Sequence, residues 1–125
     1  MARKRSQGLT EREAEIMSIL WELGNASVED VRRRMKNSPA ASTVRTLIGI
    51  MVERGLVADD GSVYGKQFHA RVDKSDAQAS ALRRLIDNLF AGSTEDLLVR
   101  LVDEGEVDVE QLKKRLQKKV RRRKS

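Results

Sequence analysis

The sequence predicts a mainly α-helical fold: a winged helix-turn-helix, with three helices and a β-hairpin wing, followed by a three-helix dimerisation domain. Three observations predict it. Aromatic residues make up 3% of the chain against 39% hydrophobic overall, so the core must be built from Leu, Ile, Val, Met and Ala, which favours packed helices over a large sheet. Four capping-box spacings, Thr10-x-x-Glu13, Ser27-x-x-Asp30, Ser93-x-x-Asp96 and Asp108-x-x-Gln111, mark helix starts. A short alternating stretch after Gly55 reads as the only hairpin.

The first helix opens at Thr10, with Leu9 and Ala14 placed as a weak hydrophobic staple. It buries Ile16, Met17, Ile19, Leu20 and Leu23, and ends at Gly24. Ser27 starts a short second helix through about Lys36, with Val28, Val31 and Met35 turned inward. Asn37-Ser38-Pro39 breaks the chain and restarts it, because Ser38 can cap while Pro39 takes the first helical position. The third helix then runs to about Arg54. At 3.6 residues per turn Val44, Leu47, Ile48 and Met51 face the core, while Ser42, Arg45, Thr46, Gly49 and Glu53 fall opposite. Leu56-Val57-Ala58 reads as a strand, Asp59-Asp60-Gly61-Ser62 as a turn, and Val63 to Val72 as a second strand with Phe68, Ala70 and Val72 alternating.

The polar stretch Asp73-Lys74-Ser75 marks the expected domain boundary. Beyond it one helix carries Leu82, Leu85, Ile86, Leu89 and Phe90, a second Leu97, Leu98, Leu101 and Val102, and a third Val109, Leu112, Leu116 and Val120. About 50 residues are marginal for a free-standing core, yet these stripes are wide; two interleaved copies resolve the mismatch. The expected organisation is a flexible basic arm over residues 1–8, a winged-helix domain over 9–74, a helical dimerisation domain over 75–120 and a basic tail over 121–125. The expected dimer contacts are Leu82, Leu85, Leu89, Leu98, Leu101, Leu112 and Leu116.

The 125-residue chain has a net charge of +6, 35% charged residues, one Pro and no Cys. Without cysteine, disulfides, zinc-thiolate sites and cysteine nucleophiles are excluded. No apolar run can span a bilayer and no secretory segment follows Arg3-Lys4-Arg5, so a cytoplasmic protein with no membrane partner is expected. Residues 75–112 carry three Arg/Lys against nine Asp/Glu, and residues 113–125 nine Arg/Lys and no acid. Such a tail suits a phosphate backbone or an acidic partner surface, and equally a solvated helix end.

In a helix-turn-helix the early part of the second helix of the motif lies in the major groove. Arg45 is the natural base reader, because its guanidinium fork matches O6 and N7 of guanine; a surface ion pair with Glu53 or another acid is the alternative. Ser42, Thr43 and Thr46 offer hydroxyls to phosphate or a base edge, though Ser42 and Thr43 could instead cap the helix. Gly49 would let DNA approach closely. Lys66 and Arg71 on the wing reach toward the adjacent backbone. Arg32, Arg33 and Arg34 read first as a solvated face and second as phosphate contacts. His69, the only histidine, reads as a structural or surface residue, and Trp21 as core packing. No Gly-rich phosphate loop or metal-ligand spacing is present, so neither an enzyme nor a cofactor or metal site is expected.

Four segments in this order and spacing resemble the penicillinase repressors, the BlaI and MecI type with the copper-responsive CopY proteins as relatives. They are Leu9-Thr10 through Ile19-Leu20-Trp21, Ser42-Thr43-Val44-Arg45-Thr46-Leu47-Ile48, Glu53-Arg54-Gly55-Leu56-Val57, and Leu89-Phe90-Ala91-Gly92-Ser93. The resemblance covers Leu9 to about Leu116. It implies a homodimer that binds a palindromic double-stranded DNA operator and represses genes for β-lactam resistance or another stress response, with a membrane sensor peptidase as the further partner that ends repression by cleavage. Four departures follow. Ile50 stands where many members carry Arg; the wing tip shows Asp59-Asp60 where it is often basic; the bond cut in some members, Asn-Phe, aligns with Arg100-Leu101; and the copper-binding cysteine pair is absent, which excludes a copper-thiolate sensor. The alternative function is a protein- or RNA-associated winged-helix adaptor with non-specific nucleic-acid binding, a reading that the apolar Ile50 and the acidic wing tip favour slightly.

Overall fold

The protein is described here by a computed structural model covering residues 8–124, with backbone only for the last two. The basic arm read over residues 1–8 therefore lies outside the described residues except for Gly8. Six helices and one two-stranded antiparallel hairpin follow in the order α1 (Glu11–Leu23), α2 (Val28–Arg34), α3 (Ala41–Glu53), β1 (Val57–Asp59), β2 (Phe68–Ala70), α4 (Lys74–Leu89), α5 (Thr94–Asp103) and α6 (Val109–Lys124). The mainly helical winged helix-turn-helix with a helical second part is the fold expected from the sequence. Contacts divide the chain into one unit ending at Ala81 and a second starting at Leu82, within α4.

Local chemistry explains the starts of α1 and α2. Thr10 Oγ1 accepts from Glu13 N at 3.1 Å and Glu13 Oε1 accepts from Thr10 N at 3.0 Å, a complete capping box. Ser27 and Asp30 exchange the same pair of bonds, each 3.1 Å. The glycine after α1 takes φ 83°, a left-handed conformation that a side chain would oppose, and its N–H returns to Leu20 O. Ile16, Met17, Leu20, Val31, Met35, Val44, Ile48 and Met51 from the three helices meet Val57 and Phe68 of the hairpin in one buried core. Each such side chain contributes about 1.5–3 kcal/mol through the apolar area it removes from water. The hairpin pairs Val57 with Ala70, Ala58 with His69 and Asp59 with Phe68. Ala26, between α1 and α2, bonds Phe68 in both directions at 3.0 and 2.8 Å and so lashes the wing to the helices. Trp21 Nε1 adds a bond to Val72 O at 2.9 Å, so this half-buried ring packs on the core and anchors the segment that leaves the wing.

Three local expectations are corrected. Ser38 does not cap α3 and Pro39 is not its first residue. Asn37 and Ser38 take positive φ (62° and 36°) to reverse the chain after α2, with Ser38 N bonded back to Met35 O at 3.2 Å. That reversal uses up Ser38, and the helix starts two residues later behind Ala40, which offers no side-chain cap. The second wing strand is three residues, not ten, because Asp60 closes a loop over residues 60–67: its N–H donates to Gln67 O at 3.0 Å and its Oδ1 accepts from Ser62 N at 3.0 Å. The turn at Asp59 to Ser62 is thus the start of a longer loop. Finally, Ser93 caps α5 by accepting from Asp96 N at 3.1 Å, but its own N–H is spent on Phe90 O at 2.8 Å, leaving no donor for a reciprocal bond. Asp108 caps α6 with one bond, from Gln111 N at 3.1 Å.

Asp73 opens α4, its Oδ2 accepting from Ser75 N at 3.1 Å and Asp76 N at 3.3 Å, so the polar stretch there is a helix start. The second unit packs its helices far more sparsely than the first. Among its described residues only Ile86 and Leu97 are buried hydrophobics. Leu82, Leu85, Leu89, Leu98 and Leu116 are exposed, Leu89 to 74%, and Leu101 and Leu112 are half-buried. Among the described residues no helix is long and apolar enough to cross a membrane.

Candidate nucleic-acid interface

The outward face of α3 is assembled by the core behind it. Burying Val44, Ile48 and Met51 at the helical repeat turns Ser42, Arg45, Thr46 and Gly49 to solvent, along with Thr43. Ser42 and Thr43 are exposed and cap nothing, since the N-cap position is Ala40. Thr46 Oγ1 donates to Ser42 O at 3.0 Å, which commits its proton to its own helix and leaves its methyl and lone pairs to the outside. Arg45 is exposed and makes no hydrogen bond or ion pair among the described residues, neither with Glu53 nor with another acid. At Gly49 an added Cβ would meet nothing within 4 Å, so no internal contact requires glycine there. Ile50 sits at the edge of the same face, 38% exposed.

Arg45 also lines an open cleft of about 430 Å³ with Ser27, Glu29, Val63, Lys66 and Phe68, bounded by α2, α3 and the wing loop. Lys66 therefore joins Arg45, but from the loop and not from a strand; its Nζ lies 3.8 Å from Asp59 Oδ2. Arg71 follows β2, is exposed, and does not line the cleft. His69 is exposed on β2.

Asp59, Asp60 and Glu29 each accept local hydrogen bonds. The wing-tip carboxylates fold into the loop: Asp59 Oδ1 accepts from Gly61 N at 2.8 Å, and the hydrogen bond from the Ser62 N–H, with a further one from Gln67 N, holds Asp60 below the usual carboxylate range. Glu29 is clamped by Arg32, at 2.6 and 2.9 Å, and by Arg33 at 3.2 Å. The Arg32 hydrogen bond is the main cause that pulls the Glu29 carboxyl down to about 2. Arg34 pairs with Glu22. The arginine run of α2 is thus a solvated face, with Arg33 and Arg34 exposed, whose members make surface ion pairs within the unit.

Two features depart from the sequence expectations or add to them. Val63 and Tyr64 project from the wing loop, 85% and 91% exposed. The signal for them was present: two glycines with positive φ, Gly61 and Gly65, bracket the pair and shape a protruding tip. The second is a buried ion pair, Glu13 with Arg54 at 2.9 Å, whose guanidinium also donates to Gly8 O at 3.2 Å. It ties the start of α1 to the end of α3 and so holds the outward face of α3 in place. Sequence distance hid it, because the partners lie 41 residues apart.

The profile of the penicillinase repressors matches residues 9–121, nearly the whole chain. The chain belongs to the penicillinase repressor family. Among relatives of this repressor chain, the methicillin resistance regulatory protein MecI of Staphylococcus aureus (strain N315) is 25% identical over 120 residues, covering 89% of this chain and 94% of its own length. The protein of the same name from Mammaliicoccus sciuri matches to the same extent. An uncharacterized 16.5 kDa protein of Latilactobacillus sakei is 28% identical over 113 residues, covering 86% of this chain and 77% of its own. This family is one of transcriptional repressors.

Proposed function

We propose that this penicillinase repressor acts in the cytoplasm as a homodimer on a palindromic operator, with α3 of each protomer in successive major grooves. The observation that carries the reading is Arg45: a guanidinium at the centre of the exposed face of α3, flanked by Ser42, Thr43 and Thr46 and free of any intramolecular partner among the described residues. Its two parallel N–H donors suit the O6 and N7 acceptors of guanine. The hydroxyls suit phosphate oxygens, which fix register without reading sequence. Gly49 keeps the helix surface low where bases approach, and Lys66 and Arg71 serve the flanking backbone.

Dimerisation belongs to the second unit. Leu82, Leu85, Leu89, Leu98 and Leu116 are left open, with Leu101 and Leu112 half-covered, and a second copy supplies the missing cover. Release from the operator, as the family resemblance implies, would involve loss of this dimer. The bond Arg100-Leu101 lies within α5, where Arg100 pairs with Glu104 at 3.4 Å, so a sensor peptidase acting there must first open the helix.

The test is selection of bound sequences from a random duplex pool with the full chain. A palindrome with half-sites about one helical turn apart supports the reading. Enrichment of no sequence over the input pool refutes it in favour of non-specific nucleic-acid binding or a protein adaptor.

A further inference from the structure

The basic C-terminal run is helix, not a loose tail: α6 extends from Val109 to Lys124. At 100° per residue its apolar residues Val109, Leu112, Leu116 and Val120 form one stripe. Lys114, Arg115, Lys118 and Arg121 fall on the opposite side. All four are exposed, and none has a hydrogen-bond or ion-pair partner among the described residues. Lys113, by contrast, is answered by Glu110 at 3.8 Å, while Arg83 and Arg100 each pair with an acid four residues on in their own helices. Four like charges on one face repel one another and weaken the helix. An opposing polyanion would relieve that repulsion.

We propose that Lys114, Arg115, Lys118 and Arg121 form a second nucleic-acid surface, one that grips the phosphate backbone of duplex DNA without reading sequence. The choice of DNA as partner rests on the operator-binding reading above. From Lys114 to Arg121 the helix advances about 10 Å. A duplex of that length carries about six phosphate charges, so four cations meet a comparable density of opposite charge. An anionic membrane surface is the weaker match. An interfacial helix inserts through its apolar face, typically with aromatic anchors, whereas α6 has no aromatic residue and its apolar stripe is the face a partner protomer would cover. The dimer doubles the set to eight cations, which holds the repressor on DNA and lets it search along it.

The experiment compares three full-length proteins: the parent, a variant carrying Lys114→Gln, Arg115→Gln, Lys118→Gln and Arg121→Gln, and a charge-retaining variant carrying Lys114→Arg, Arg115→Lys, Lys118→Arg and Arg121→Lys. Gln keeps helix propensity, so α6 should survive, and circular dichroism checks it. Affinity is measured from 50 to 200 mM salt on a random-sequence duplex and on the selected operator. Each phosphate contact contributes about 0.9 to the slope of log K against log salt. The Gln variant should flatten that slope by about 3 to 7 on both duplexes and bind at least tenfold more weakly at 0.1 M salt, while the charge-retaining variant matches the parent. Equal slopes for all three overturn the proposal, as does a Gln variant that sediments as a monomer, since the cations then serve the partner protomer. Binding of the parent to vesicles with 30% phosphatidylserine, with unchanged DNA slopes, also overturns it. The operator reading is judged separately, by the ratio of affinities for the two duplexes: a ratio of one refutes that reading and leaves the slope comparison on random DNA intact.

Discussion

Replacing Glu13 by Ala removes more than a helix cap. Its side chain is 5% exposed, accepts from Thr10 N, and pairs with Arg54, whose own side chain is only 16% exposed. Losing the return bond of a capping box costs about 1 kcal/mol. Removing one member of a buried pair costs about 3–5 kcal/mol, because the remaining charge stays desolvated. Arg54 keeps its bond to Gly8 O and some access to water, which lowers that figure to about 2 kcal/mol. The expected loss is therefore about 3 kcal/mol, or about 12–24 °C in Tm for a domain of this size. Trp21, the only tryptophan, lies in the first unit and packs against its core, so its fluorescence through a urea titration follows this unit. A loss under about 1 kcal/mol would refute the argument, since solvent would then be screening the pair as it does on a surface. Combining Glu13→Ala with Arg54→Met should recover part of the loss, by removing the stranded charge rather than restoring a contact.

Three further outcomes are expected. Arg45→Ala should cost about 1–3 kcal/mol of operator binding and relax preference at one base position; equal weakening on operator and scrambled duplex would show that Arg45 holds phosphate instead. Gly49→Ala should raise stability by about 0.5–1 kcal/mol, because the added methyl has open space within the protein, yet lower operator affinity where DNA lies against that surface; unchanged affinity would show that the face does not approach DNA closely. Leu98→Glu should yield a monomer in sedimentation, with a folded first unit and operator binding about 10²–10⁴-fold weaker as the tether between half-sites is lost; a dimer of normal affinity would place the interface elsewhere.

What the sequence revealed follows the range of the interactions. The starts of α1 and α2 and the ends at Gly24 and Gly55 depend on partners within four residues, and they were legible because a side chain and its backbone target are near neighbours in the chain. The inward positions Val44, Ile48 and Met51 were legible from helical period alone, and with them the outward Arg45 and Thr46. The start of α3 was misplaced because Ser38 and Pro39 are good residues for a helix start and equally good for the reversal that α2 required. Asp60 illustrates the same limit. Its sequence context suggests a tight turn, whereas its side chain reaches across residues 60–67 to close a longer loop while staying exposed. The Glu13–Arg54 and Trp21–Val72 links span 41 and 51 residues, and no local pattern carries them. The face of α3 was legible, but the ties that hold its position were not.

The two units solve different physical problems, and their contrast bears on how a repressor of this kind could be released. The first closes a core around residues that are almost wholly buried, with the wing lashed by Ala26 and Trp21, so the geometry of α3 does not depend on a partner. The second leaves most of its leucines in water, and among its described residues only Ile86 and Leu97 are buried hydrophobics. Under the dimer reading its stability is inseparable from protomer concentration, because the partner completes the core. The same reading joins a rigid base-reading site to an assembly domain held close to its threshold. Opening or cutting α5 would expose Leu97 and remove the face that Leu98 presents, ending cooperative binding of two half-sites while leaving each winged helix folded. Under that reading repression could end without unfolding the winged helix, because the weak point lies in the unit whose core the partner completes.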